Sequence, residues 1–164
     1  MCEPPAVDPR PALPHLVRLS LRARVLALIR GGLSALGLVC ALLVGASPER
    51  ALLAWSVGAI LVSIVLFGDP RGRRSMPPVP MAGAPDPESW AQIARTDVLP
   101  STVGVALFTA VALLFDPVLA GLLAGILGGM ALMTLVSLLQ IVMFERRLGG
   151  VLYVERGTKR LYFV

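Results

Sequence analysis

Charged residues withdraw from four long apolar stretches and gather between them. The stretches run over 25–46, 51–68, 98–115 and 117–144, and Arg30 in the first is their only charged side chain. Each approaches or exceeds the roughly 20 residues with which a helix crosses a hydrocarbon core of about 30 Å. Four buried helices in water would need polar helices to cover them, and the chain has none to spare. The pattern therefore predicts an all-α membrane protein with four transmembrane helices, its environment the lipid bilayer.

The breaks between stretches predict how the helices connect. Ser47-Pro48 and Asp116-Pro117 each place a capping side chain before a proline at the first helical position. That proline gives up an amide with no helical partner, and its φ already suits a helix. Such short turns predict two antiparallel hairpins, one within 15–68 and one over 98–147. Val44-Gly45-Ala46 also resembles a signal-peptidase site. Cleavage there would leave three helices, but the long preceding region and Pro48 just beyond the cut favour an intact first helix.

Outside the spans the pattern changes character. Residues 1–14 are Pro-rich and polar, and predict a disordered tail. From His15 the stripes become helical: His15, Arg18 and Arg22 on one side, Leu16, Leu19, Ala23 and Leu26 on another. They predict a basic interfacial helix leading into the first crossing. In the loop 69–97, Pro77-Pro78-Val79-Pro80 reads as a stiff linker or as a polyproline II segment able to dock on a partner. Asp86-Pro87-Glu88 then introduces a short amphipathic helix carrying Trp90 and Ile93, with Trp90 as its interfacial anchor. After Gly149 and Gly150, the apolar runs 151–154 and 161–164 flank Gly157 and predict a C-terminal β-hairpin in the segment 148–164.

Charge settles the expected orientation. Of fifteen basic residues, fourteen lie before or early in the first stretch, in the loop 69–97, or after 144; Arg50 alone lies in the two tight turns. Excess Lys and Arg mark the cytoplasmic side, so both termini are expected there, with Arg18, Arg22, Arg30, Arg146 and Arg147 as interfacial anchors. Arg30 can snorkel back to the headgroups. The net charge of +5 fits anionic lipid better than nucleic acid, because the basic residues sit at span ends and not on a separate polar domain. Fourteen Arg against a single Lys, with abundant Ala, Gly and Pro, suggest a bacterial source. Cys2 and Cys40 read as free thiols.

Inside the spans the candidate chemistry is sparse. Gly121, Gly125 and Gly129 recur at four-residue spacing on the fourth helix, and Ser34, Gly37, Ala41 and Gly45 form a similar series on the first. Small residues let backbones approach closely where the hydrophobic effect gives no drive between helices. These seams serve either packing within one bundle or homo-oligomerisation. Thr134, Ser137 and Gln140 lie off the glycine stripe and are candidate intramembrane polar contacts, which suggests that the fourth helix is central. No Asp, Glu, Lys or His lies within the spans, so no proton relay or charge-coupled site is evident. No metal cluster, catalytic triad or phosphate loop occurs, and no cofactor is expected. The sequence thus predicts a non-enzymatic accessory or scaffolding subunit of the plasma membrane that meets a membrane-protein partner through its cytoplasmic face. The alternative is a small oligomeric channel or transporter for a neutral or weakly selected solute.

Overall fold

The computed structural model describes residues 16–67, 79–80, 89–155 and 161–164. In chain order, β1 (Leu16–Arg18) leads into α1 (Leu19–Leu43), and α2 (Pro48–Phe67) is followed by β2 (Val79–Pro80). The short α3 (Trp90–Ile93) continues as a π turn, Ala94–Val98, into α4 (Leu99–Phe115); α5 (Pro117–Leu148), β3 (Leu152–Glu155) and β4 (Leu161–Phe163) complete the fold.

Local signals explain the helix ends. The Asp116 carboxylate accepts a hydrogen bond from the Val118 amide at 2.8 Å, with Pro117 as the first residue of α5. At the other end of α5, Gly149 adopts a left-handed φ of 72° and its amide donates to the Glu145 carbonyl, the usual glycine stop. Ser89 caps α3 by accepting from the Gln92 amide; the expected Asp86-Pro87-Glu88 cap lies outside the described residues, as do 1–15, 68–78, 81–85 and 156–160.

Among the described residues, three helices are long and apolar enough to cross a membrane: α1, α2 over Pro48–Val65, and α5. The fourth expected span is shorter and bent. α4 has 17 residues, or roughly 26 Å at 1.5 Å per residue. Its body meets the α3 segment at 68°, so the two qualify as a span only together. Large apolar side chains such as Leu43, Leu53, Val65, Leu114 and Phe115 face outward, which a water-exposed surface would not tolerate on this scale. The chain is a small, multi-span helical membrane protein.

Packing centres on one helix. α1 and α2 are joined by a tight turn yet touch each other little; each packs chiefly on α5, which also receives α4. α5 is thus the central helix, as its small and hydroxyl-bearing residues suggested. At the end of the bundle near the α1–α2 and α4–α5 turns, Ala41, Ala112 and Ala120 form a small core.

The other end of the bundle carries a four-stranded sheet in the order β1-β3-β4-β2. The expected hairpin forms: β3 and β4 pair antiparallel, with Tyr153 opposite Tyr162, and Val151 and Val164 exchange two backbone hydrogen bonds beyond them. Two further strands join it. Residues 16–18 do not begin an interfacial helix but pair antiparallel with β3, placing Val17 opposite Val154. Their helical spacing was real, yet an apolar strand edge from the far end of the chain outcompeted it. Val79 and Pro80 pair parallel with β4, and a proline fits there because β2 is an edge strand. Beneath the sheet, Val17, Val25, Ile93, Val98 and Val154 make one core that joins sheet, α1 and the α3–π segment. The Leu152 amide also donates to the Glu145 carboxylate at 3.1 Å, tying β3 to α5.

Candidate functional site

Polar and small residues descend along one face of α1. At ~100° per residue, Arg22, Arg30, Ser34, Gly37 and Ala41 fall within an arc of roughly 120°, turned towards α4 and α5. Near the sheet, Arg22 Nε lies 3.0 Å from Asp97 Oδ2 of the π turn, and Asp97 is only 13% exposed. The contact is ionic, its geometry falling outside hydrogen-bond angles. It fixes the π turn against α1.

Two turns further into the bundle, Arg30 reaches inward. Its Nε approaches Thr102 Oγ1 of α4 at 3.5 Å, and its Nη1 approaches Thr134 Oγ1 of α5 at 3.4 Å. Both are long, charge-assisted contacts near the limit of hydrogen bonding. The sequence allowed Arg30 to snorkel to the headgroups; in the structure two threonines on facing helices lie within reach of its guanidinium. Thr134 keeps its own hydroxyl proton on the Met130 carbonyl at 2.7 Å, leaving its lone pairs for the guanidinium.

The third level is a hydrogen-bonded knot of three helices. Trp55 Nε1 of α2 donates to Ser34 Oγ of α1 at 2.9 Å, and Ser34 Oγ donates to the Ala124 carbonyl of α5 at 2.7 Å. Ser34 is buried, and Gly128 makes room for it and for the indole ring: a methyl group there would lie 2.8 Å from Ser34 Oγ and 2.7 Å from Trp55 Cζ2. Trp55 and Asp97 were not singled out from sequence. An indole N–H inside an apolar stretch needs an acceptor, and that signal would have pointed to Trp55.

The glycine stripe of α5 is occupied within the chain. Gly121 faces the Ala51 backbone, Gly125 the Trp55 carbonyl and Gly129 the Ala59 carbonyl, all on α2, while Gly58 of α2 faces the Leu122 carbonyl in return. Gly37 of α1 packs on Ala124 and Thr109, and Ala41 is fully buried. Gly45 does not belong to this seam. It sits in the turn after α1 at φ +111°, with nothing near the position of a side chain, so it serves backbone conformation and not packing.

The remaining expected residues stand apart. Ser137 donates to the Met133 carbonyl of its own helix, and Gln140 is exposed. Trp90, Arg146 and Arg147 are exposed at the sheet end of the helices, and Arg18 Nε donates to Ser20 Oγ. Cys40 is a free thiol. Among the described residues, no group of three or more His, Cys, Asp or Glu is arranged to hold a metal ion. No protein-family model, curated protein or solved structure matches the chain.

Proposed function

We propose that the protein is a non-enzymatic accessory or scaffolding subunit of a bacterial cell membrane, crossing it four times with both termini in the cytoplasm. In this reading the sheet is a cytoplasmic platform for a membrane-protein partner. The observation that carries it is the sheet's composition. β1 precedes α1, β2 lies between α2 and α4, and β3 and β4 follow α5.

Strands bonded in one sheet lie on one side of a bilayer, so the chain between successive strands must cross an even number of times. With α5 as a crossing, the bent α3–α4 pair supplies the return. The positive-inside rule gives the side, because β1, β2, β3 and β4 belong to the regions that hold fourteen of fifteen basic residues. Use of the α5 glycine stripe by α2 also argues against an oligomeric channel sealed through that stripe.

Topology and role are tested separately. Cysteines placed at Glu49 and at Gly150 should label oppositely with a membrane-impermeant maleimide on intact cells, Glu49→Cys reacting and Gly150→Cys not. Reaction at both would end the four-crossing reading. For the role, purification from native membranes in mild detergent should yield a second membrane protein in fixed ratio. A pure homo-oligomer that leaks solute from liposomes would replace the subunit with the channel.

A further inference from the structure

We propose that a groove between α1 and the bent α4 holds one acyl chain of an anionic phospholipid, with Arg95 engaging its headgroup phosphate. The groove measures about 470 Å³ and is walled by Ile29 and Leu33 of α1 and by Val98, Thr102, Ala106 and Leu107 on the α4 side, with Arg95 among its lining residues. Apart from Arg95 and Thr102, its lining is wholly hydrocarbon. The hydroxyl of Thr102 is buried and already meets Arg30, so the groove wall presents methyl groups to the occupant.

Three features select this occupant. The first is depth. On the α4 side the lining runs from Ala94 and Arg95 to Leu107, at most roughly 20 Å at 1.5 Å per residue. Half of a ~30 Å hydrocarbon core is ~15 Å, so the groove is no longer than about one leaflet and its headgroup region, within the reach of an acyl chain whose headgroup sits beside Arg95.

The second is charge. Asp97, two residues on, is held by Arg22, whereas among the described residues no acidic side chain engages the exposed Arg95. A cation at the mouth of an apolar groove suits a lipid phosphate, and basic pockets between helices at a membrane surface recognise anionic headgroups in this way. The third is the origin of the space. The π turn and the 68° bend separate the α3 segment from the body of α4, and the Arg22–Asp97 pair holds the turn beside α1. The groove lies between α1 and the α4 side of the bend. A second transmembrane helix, about 10 Å across, would not fit a groove of this volume along its whole length.

Assignment to the cytoplasmic leaflet rests on the orientation proposed above; occupancy by lipid does not. The full chain in nanodiscs is therefore tested alone, using a phosphatidylglycerol with a photoreactive acyl chain and a matched phosphatidylcholine. Crosslinks should map to Ile29–Leu33 and Val98–Leu107, with phosphatidylglycerol labelling these about five-fold more strongly.

Arg95→Gln should remove that preference, lowering the phosphatidylglycerol signal more than that of phosphatidylcholine, whose choline already offsets its phosphate charge. Ala106→Phe should lower labelling by both lipids at these sites. Arg24→Gln, on the opposite side of α1 from Arg22, should preserve the headgroup preference. Crosslinks spread evenly over the outward-facing helices, equal labelling by the two lipids, or equal effects of Arg24→Gln and Arg95→Gln would overturn the site. Because wild type alone supplies the crosslink map, a variant that failed to fold would not shield the proposal. Absence of a co-purifying partner would count against the subunit role but not against the groove.

Discussion

A single hydroxyl, Ser34 Oγ, both accepts from Trp55 and donates to the Ala124 carbonyl. Removing it leaves the indole N–H of half-buried Trp55 without this acceptor inside an apolar helix bundle. Ser34→Ala should cost about 1–2 kcal/mol. Trp55→Phe keeps the ring and leaves Ser34 bonded to Ala124, so it should cost less than about 1 kcal/mol. Unfolding in mixed detergent micelles ranks the two, and the reverse order would remove Ser34 from the centre of the knot. The same scale separates the glycines. Gly125→Leu drives a side chain into the Trp55 carbonyl of α2 and should destabilise by about 3 kcal/mol or more. Gly32, with open space around it, should accept Ala with a gain of up to ~1 kcal/mol from helix propensity. Equal effects of the two substitutions would rule out a tight α2–α5 contact.

Among the elements, the long helices were legible because their signal is local. An uninterrupted apolar run needs no distant partner to be helical, and Asp116-Pro117 and Gly149 announce their ends within a few residues. The β3–β4 hairpin was legible for the same reason. β1 and β2 were not. Leu16–Arg18 and Val79–Pro80 hold three and two residues, too few for any periodicity, and their strand character comes from pairing with residues over eighty positions away. The polar contacts divide similarly. Thr134 was visible as an oddity on its helix, but its relation to Arg30 and Thr102 exists only once α1, α4 and α5 are packed. One such long-range contact, Arg22–Asp97, joins the π turn to α1. A double-mutant cycle of Arg22→Gln and Asp97→Asn should return a coupling of about 1 kcal/mol, larger at low salt. A coupling of zero would mean that the apolar packing of Val98 alone holds the turn.

For the molecule as a whole, the core under the sheet joins parts of the chain that the bundle holds apart. Val17, Ile93 and Val154 are all buried in it, so loss of β3 and β4 should loosen the sheet-side ends of α1 and α3 while leaving the helices in the membrane. Chains ending at Gly149 should become sensitive to protease near Val17 and Ile93, with the membrane-protected fragments unchanged. Unaltered cleavage in that region would show that the sheet contributes nothing to ordering those helix ends.

The strand order also sets a schedule for biogenesis. β1 leaves the ribosome early, but its partner β3 begins only at Leu152. At roughly 5–20 residues per second, the interval between them is about 7–27 s of translation. During that time Val17 has no strand to lie against, and α1, α2 and α5 enter the membrane in turn. Closure of the sheet is therefore a late assembly step, reached only after helix insertion has brought the two distant segments to the same surface.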